Sequence, residues 1–128
     1  MKKILLVDGM GCLYDKSFNV DNVLLNLLNE FEVRKILVVN GFREEGKKAL
    51  EGQGFEAFSL QEEGIKKNNP EYFKILLNKF NLTPQDCLYF DHLKESVDSA
   101  SSIGIKSSFY ESTERIKDFL LENLILKQ

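Results

Sequence analysis

Three charged residues recur at places where the chain's own pattern can bring them together. Asp8 and Asp91 each close a short apolar run, Ile4-Leu5-Leu6-Val7 and Cys87-Leu88-Tyr89-Phe90, and Lys67 lies in a third region between them. A carboxylate at the end of a buried strand costs desolvation unless it meets a metal, a donor or solvent. One such aspartate reads as a turn or helix cap. Two at equivalent strand ends, with a lysine in a third strand-to-helix region, make a constellation. Two carboxylates can hold Mg²⁺ through oxygen, with water completing an octahedron. One can also attack phosphorus as a nucleophile, and the lysine can neutralise the charge that develops.

The elements that would position these residues alternate in type. Ile4–Val7, Ile36–Val39 and Cys87–Phe90 are continuous apolar runs, the pattern of strands buried on both faces. Phe55–Leu60 and Ile105–Tyr110 are weaker strands. Between them lie amphipathic segments. Val23, Leu24, Leu27, Leu28 and Phe31 recur at helical spacing, with Asn19 and Asp21 as candidate caps. Arg43–Gln53 is a charged helix ending near Gly52 and Gly54. Asn69 caps a helix with Pro70 at its first position and Phe73, Leu76, Leu77 and Phe80 as its stripe. Thr83–Asp86 forms a tight turn or one helical turn, Lys94–Ile103 a helix stopped by Gly104, and Ser112 or Thr113 caps a last helix carrying Ile116, Phe119, Leu120 and Leu124. Five such units over residues 1–128 predict a single α/β domain: a three-layer α/β/α sandwich around a Rossmann-like five-stranded parallel sheet. Ligands of such sheets bind outside the carboxyl ends of the strands, where the strand order reverses.

Composition narrows the function classes. The chain has 128 residues, 43% hydrophobic and 29% charged, enough to bury a core without metal or disulfide staples. Lys+Arg is 17 against Asp+Glu 20, a net charge of −3, which argues against nucleic acid as a partner. Apolar runs are far below the ~20 residues of a membrane span, so no membrane partner is expected. The first run stops at Asp8, short of the roughly 7–15 residues of a signal-peptide core, and a cytoplasmic protein is expected. Cys12 follows the end of one strand and Cys87 begins a parallel one. A five-residue strand is about 16 Å long, beyond the ~7 Å Cα limit of a disulfide.

Four segments in order resemble the haloacid dehalogenase (HAD) superfamily. ILLVDGMGCLYD, Ile4 to Asp15, resembles its first motif, an apolar strand followed by D-x-D-G-T-L. KILVVNGF, Lys35 to Phe42, is similar to its second strand, which usually ends in Thr or Ser. KKNNPEYFKILLNKFNL, Lys66 to Leu82, resembles the K-P-x-P-E-x-F stretch that carries the lysine. CLYFDHLKESVDSASSIGIKS, Cys87 to Ser107, resembles the strand, acidic pair and helix of the last motif. The resemblance implies a Mg²⁺-dependent phosphohydrolase working through an aspartyl phosphate. It makes Asp8 the nucleophile, Lys67 the neutralising lysine (with Lys66 as a one-residue slip), and Asp8, the Met10 carbonyl and Asp91 the metal ligands. The connections leave room for one helix, or one helix and one strand, so no cap domain is present. Capless relatives act on large substrates or borrow a partner as lid. A phosphorylated small molecule or macromolecule is the substrate class implied.

The departures carry as much information. Met10 stands where the resemblance places the general acid, and Met transfers no proton. Cys12 replaces the motif's Thr, and the Thr or Ser of the second motif becomes Val39, or Asn40 if the strand runs one residue further. Only Asn40 could donate to a phosphate oxygen. His92 replaces the second acidic residue. General acid–base catalysis contributes about 10²–10⁴-fold. Its loss leaves a leaving group that needs no proton, a proton supplied by His92, or a catalytically inactive interaction or regulatory module on the same fold.

The other chemistry-bearing residues have bland alternatives. His92 reads as a proton donor, a metal ligand or a hydrogen-bonded surface residue. Cys12 reads as a small Thr substitute, or as redox-sensitive if a helix N-terminus lowers its pKa. Arg43 and Lys47 read as an anion contact or a solvated face. Leu121, Leu124, Ile125 and Leu126 leave the last helix apolar nearly all round, which suits a homo-oligomer contact. A response-regulator receiver has similar length, but this chain lacks an Asp near Ser59-Leu60 and a Lys after Phe109-Tyr110.

Overall fold

The computed structural model describes residues 3–41 and 44–128. Five strands, β1 (Ile4–Asp8), β2 (Arg34–Val38), β3 (Phe55–Phe58), β4 (Cys87–Asp91) and β5 (Lys106–Phe109), form one parallel sheet in the order β3-β2-β1-β4-β5. Five helices connect and cover them: α1 (Asn22–Leu28), α2 (Glu44–Ala49), α3 (Pro70–Phe80), α4 (Lys94–Ser101) and α5 (Thr113–Asn123). A 3₁₀ turn, Pro84–Asp86, leads into β4. None of the described connections carries an inserted domain.

Side chains alternate across each strand, and here both faces are covered. Leu5, Val7, Leu37, Leu88 and Phe90 pack with Leu24, Leu28 and Phe31 of the α1 region and with Ile116 and Leu120 of α5. Ile4, Leu6, Ile36, Val38 and Tyr89 pack the other way, against Tyr72, Phe73 and Leu76 of α3 and Ala100 of α4. That two-sided burial explains why β1, β2 and β4 are apolar without alternation. Truncating a ring such as Phe73, which is fully buried, to Ala costs about 3–5 kcal/mol in such cores.

The chain runs outward from β1 through β2 to β3, then returns to β4 on the other side of β1. The reversal therefore falls between β1 and β4, whose last residues are Asp8 and Asp91. Their register keeps the two carboxyl ends level, with Val7 beside Phe90.

The structure adjusts several expected boundaries. Asp21, not Asn19, caps α1 by accepting from the Leu24 N–H at 3.1 Å. Asn19 instead donates to Asp15, and Val23 points to solvent while Leu25 takes its place in the stripe. Ser112 caps α5. The segment after α5 is not helical. Leu124 leaves the helix extended, and Leu126 bridges Phe31 antiparallel, with the Glu32 N–H bonded to the Ile125 carbonyl at 2.9 Å. Half of the expected apolar helix end is therefore a short pairing with the loop before β2. Helix α2 ends at Ala49, and Gly52 and Gly54 follow with φ of 78° and 79°, where a side chain would be strained. Arg43 lies outside the described residues, and Lys47 is exposed and faces Glu44 at 3.9 Å. No described helix is long and apolar enough to cross a membrane. Cys12 and Cys87 are both buried free thiols.

Candidate active site

The loop after β1 is wound tightly by its own backbone. The Gly9 carbonyl accepts from the N–H groups of Cys12, Leu13 and Tyr14, and the Gly11 N–H returns to the Tyr14 carbonyl at 2.9 Å. A Cβ on Gly9 would lie 2.6 Å from the Tyr14 hydroxyl, so this turn tolerates no side chain there. Asp15 serves the same loop. Its carboxylate accepts from Ser17 and Asn19 N–H at 2.9 and 3.0 Å, a turn role that holds its pKa below the usual range.

Three elements then deliver charges to one point. Lys67, in the loop before α3, extends its ammonium between the strand ends, 2.5 Å from Asp8 Oδ1 and 2.8 Å from Asp91 Oδ2. Its own N–H is held by Asn40 Oδ1 at 2.7 Å. Tyr72 on α3 donates to the carbonyls of Val39 and Phe58, fixing the carboxyl ends of β2 and β3 beneath Asn40. Asp8, Asp91 and Lys67 are all buried, whereas Lys66 is exposed, which decides between the two lysines.

His92 completes the cluster. Its Nδ1 lies 2.6 Å from Asp8 Oδ2 and 3.3 Å from Asp91 Oδ1. Asp91 Oδ1 also accepts from the Leu93 N–H at 2.9 Å, and Asp91 Oδ2 accepts from the Tyr89 hydroxyl. Every oxygen of the two carboxylates thus has a partner.

The ionisation states follow from these contacts. Burial alone would raise the Asp8 pKa, but His92 and Lys67 outweigh it and hold Asp8 below the usual carboxylate range. Asp91 is pushed up, first by burial and then by the Asp8 charge. Lys67 loses to burial but gains more from the two aspartates, so its pKa is raised. His92 is raised chiefly by its hydrogen bond to Asp8. The two carboxylates thus face a lysine ammonium and an imidazole whose pKa is raised.

The cluster floors a pocket of about 580 Å³ lined by Asp8, Asn40, Lys67 and His92, by apolar Met10, Tyr14, Phe18, Val39 and Leu93, and by the exposed Asp15 and Lys16. Val39 is itself buried, and its methyl group stands where a Cβ on Gly9 would fall. Asn40 is therefore the polar residue that the end of β2 offers, with its amide nitrogen as the donor. Cys12 is buried behind Asp8, and burial followed by the Asp8 charge pushes its thiol far up. Of the two readings of Cys12, a raised pKa goes against the redox-sensitive one and with a small residue in place of Thr.

A divalent ion does not fit the cluster as it is arranged. Magnesium needs oxygens at about 2.0–2.1 Å, and the imidazole of His92 stands against the Asp8 and Asp91 oxygens that such an ion would bridge. Asp8, Cys12 and His92 also offer atoms within 4.8 Å of one another, but a thiol and an imidazole are not the oxygen ligands that magnesium takes. The metal set expected from the resemblance, Asp8, the Met10 carbonyl and Asp91, thus meets a competing side chain that motif spacing could not reveal.

No protein-family model and no curated protein matches the sequence. Solved structures do match. An uncharacterized protein from Corynebacterium glutamicum superposes over 100% of both chains with TM-score 0.73 at 20% identity. The core domain of a Streptococcus pneumoniae protein named as a phosphoglycolate phosphatase matches 96% of this chain and 97% of its own, with TM-score 0.64 at 18% identity. A HAD-family enzyme from Bacteroides thetaiotaomicron, in complex with magnesium and inorganic phosphate, matches 70% of this chain with TM-score 0.53 at 19% identity. The fold is that of the haloacid dehalogenase superfamily. The chain spans half the length of the Bacteroides enzyme and the whole of the other two. The shared fold extends to the sheet, whose order puts β4 beside β1.

Of the residues singled out from the sequence, the structure brings Asp8, Lys67, Asn40 and Asp91 to one place with Met10 in the pocket lining, and it adds His92, which the sequence leaves open between chemistry and surface. Its ring is neither fully exposed nor idle. Tyr89, which supports Asp91, was hidden because an aromatic residue inside an apolar strand reads as core.

Proposed function

We propose that the protein is a phosphohydrolase of low activity, with Asp8 as nucleophile and a substrate whose leaving group departs without a proton. The observation that carries this reading is the position of Asp8: ionised, buried and held by Lys67 at the floor of an open pocket. A bond forms between an Asp8 oxygen and phosphorus. The bond from phosphorus to the leaving oxygen breaks, and that oxygen departs with the electron pair. Lys67 steadies the charge on the transferring group, and the Asn40 amide nitrogen supplies a neutral donor. Water then cleaves the aspartyl phosphate and restores Asp8.

Met10 shapes the substrate range. Its thioether supplies no proton, so alkyl alkoxides leave poorly, whereas acyl and aryl phosphates do not need the proton. The apolar wall of Met10, Phe18 and Leu93 suits an aromatic or acyl body. With no cap domain the pocket stays open, which admits a phosphorylated small molecule or a phosphorylated group on a macromolecule, and leaves water in place during the reaction.

Rates on an aryl phosphate, an acyl phosphate and an alkyl phosphate test the reading, beside Asp8→Asn. Faster turnover of the first two by at least about 10²-fold is expected, with none in Asp8→Asn. Equal rates on alkyl and aryl esters, or an Asp8→Asn variant as fast as the wild type, would overturn it. One observation favours a second reading, an inactive interaction or regulatory module: all four carboxylate oxygens are already satisfied within the protein. Absence of turnover on all three esters would support that reading.

A further inference from the structure

We infer that His92 fills the divalent-cation position between Asp8 and Asp91, so that the site works without magnesium. The inference rests on reading these aspartates as the site's carboxylates, but not on turnover.

Three observations converge. The ring nitrogen Nδ1 faces one oxygen of each carboxylate, at 2.6 and 3.3 Å, which is where an ion joining them would sit. The ring lies in a notch made by the backbone. Gly11 has φ of 100°, and a Cβ on it would collide with Cε1, Nδ1 and Nε2 of His92. A glycine is thus required both by the turn and by the ring above it. Lys67 occupies the other oxygen of each carboxylate, so a lysine and a histidine together take up the pair. Neutral or protonated, the ring fills the space, and neither state leaves Asp8 Oδ2 and Asp91 Oδ1 open together.

The consequence concerns the substrate as well. A bound metal would add positive charge for a phosphate dianion; of the cations among the described lining residues, Lys67 and His92 are already shared with the aspartates, and Lys16 is exposed. The site therefore suits a phosphoryl donor whose leaving group departs readily, such as an acyl phosphate, more than an alkyl monoester.

The test is calorimetric titration of Mg²⁺ into the wild type, His92→Asp and His92→Ala, with thermal melting of each in the presence and absence of Mg²⁺. His92→Asp sets three carboxylates against one lysine, and His92→Ala opens the space with a small neutral side chain. Circular dichroism establishes that each variant is folded. No saturable binding in the wild type is expected, together with binding at least about tenfold tighter in one or both variants. A Mg²⁺-dependent rise in melting temperature should appear in the same variants only. Saturable Mg²⁺ binding by the wild type, comparable with that of His92→Asp, would overturn the inference. So would no binding in any of the three, because removing His92 would then have released no cation position. Failure of the proposed turnover leaves these binding results unchanged.

Discussion

At the carboxyl edge of the sheet, the Lys67 and Asp8 side chains are 4% and 3% exposed; near the amino edge, those of Arg34 and Glu56 are 43% and 44% exposed. Both are close ion pairs, one across two strands and one between a strand end and the loop before α3, yet they do different work. Arg34 and Glu56 lie across the β2–β3 pair in water, where attraction is screened and side-chain entropy offsets much of it. Lys67 and Asp8 have little water to fall back on, so each depends on the other being present. The amino edge also has the larger hollow, about 820 Å³ against about 580 Å³, lined by Lys3, Arg34 and the residues after α5. Volume does not mark the site. The smaller pocket has the buried charges, the strand reversal and the converging loops.

This contrast can be broken at several points. The largest effect is expected from Lys67→Met, which leaves two buried carboxylates facing each other. A loss of about 3–5 kcal/mol is predicted from urea unfolding; a loss below that of an exposed pair would put Lys67 in water. Gly11→Ala comes next, because it combines a left-handed backbone with a collision against His92. About 1–3 kcal/mol is expected, and a neutral result would mean that the ring does not rest on Gly11.

A smaller effect should depend on pH. The pKa of His92 is raised in the folded state by Asp8, so its contribution is fully present below its unfolded value near 6.5. It is lost as pH rises through the folded value. The stability gap between wild type and His92→Gln should therefore narrow from pH 5.5 to pH 9 (pH values about one unit or more either side of the reference). A gap that widens would reverse the sign of the His92–Asp8 interaction. The smallest effect is expected at the amino edge. Arg34→Ala should cost at most about 1 kcal/mol, less at high salt. A cost matching Lys67→Met would erase the distinction between the two edges.

The same contrast explains what could be read in the sequence. Strands β1, β2 and β4 were legible because burial on both faces leaves a plain apolar run, and Asp8 and Asp91 because each interrupts one. Asn69 and Pro70 marked the start of α3 through local capping chemistry, which spacing alone reveals. The pairing of His92 with Asp8 was not legible: the residues are 84 apart, and they meet only because β4 returns beside β1. The choice of Lys67 over Lys66 likewise depends on which side of a loop faces inward, here set by the Asn40 bond to the Lys67 backbone. The end of α5 is not legible because Leu124–Leu126 continue the apolar pattern past Asn123, whereas the chain there is extended and Leu126 bridges Phe31.

The central claim is that Asp8 accepts a phosphoryl group without a metal. Its most direct test is the intact mass of wild type and Asp8→Asn after incubation with acetyl phosphate, with magnesium or with a chelator, and quenching in acid. The account predicts that the wild type gains one phosphoryl group in both conditions, mapped to Asp8, and that Asp8→Asn gains none. No gain in the wild type, a gain only with magnesium, or an equal gain in Asp8→Asn would contradict it.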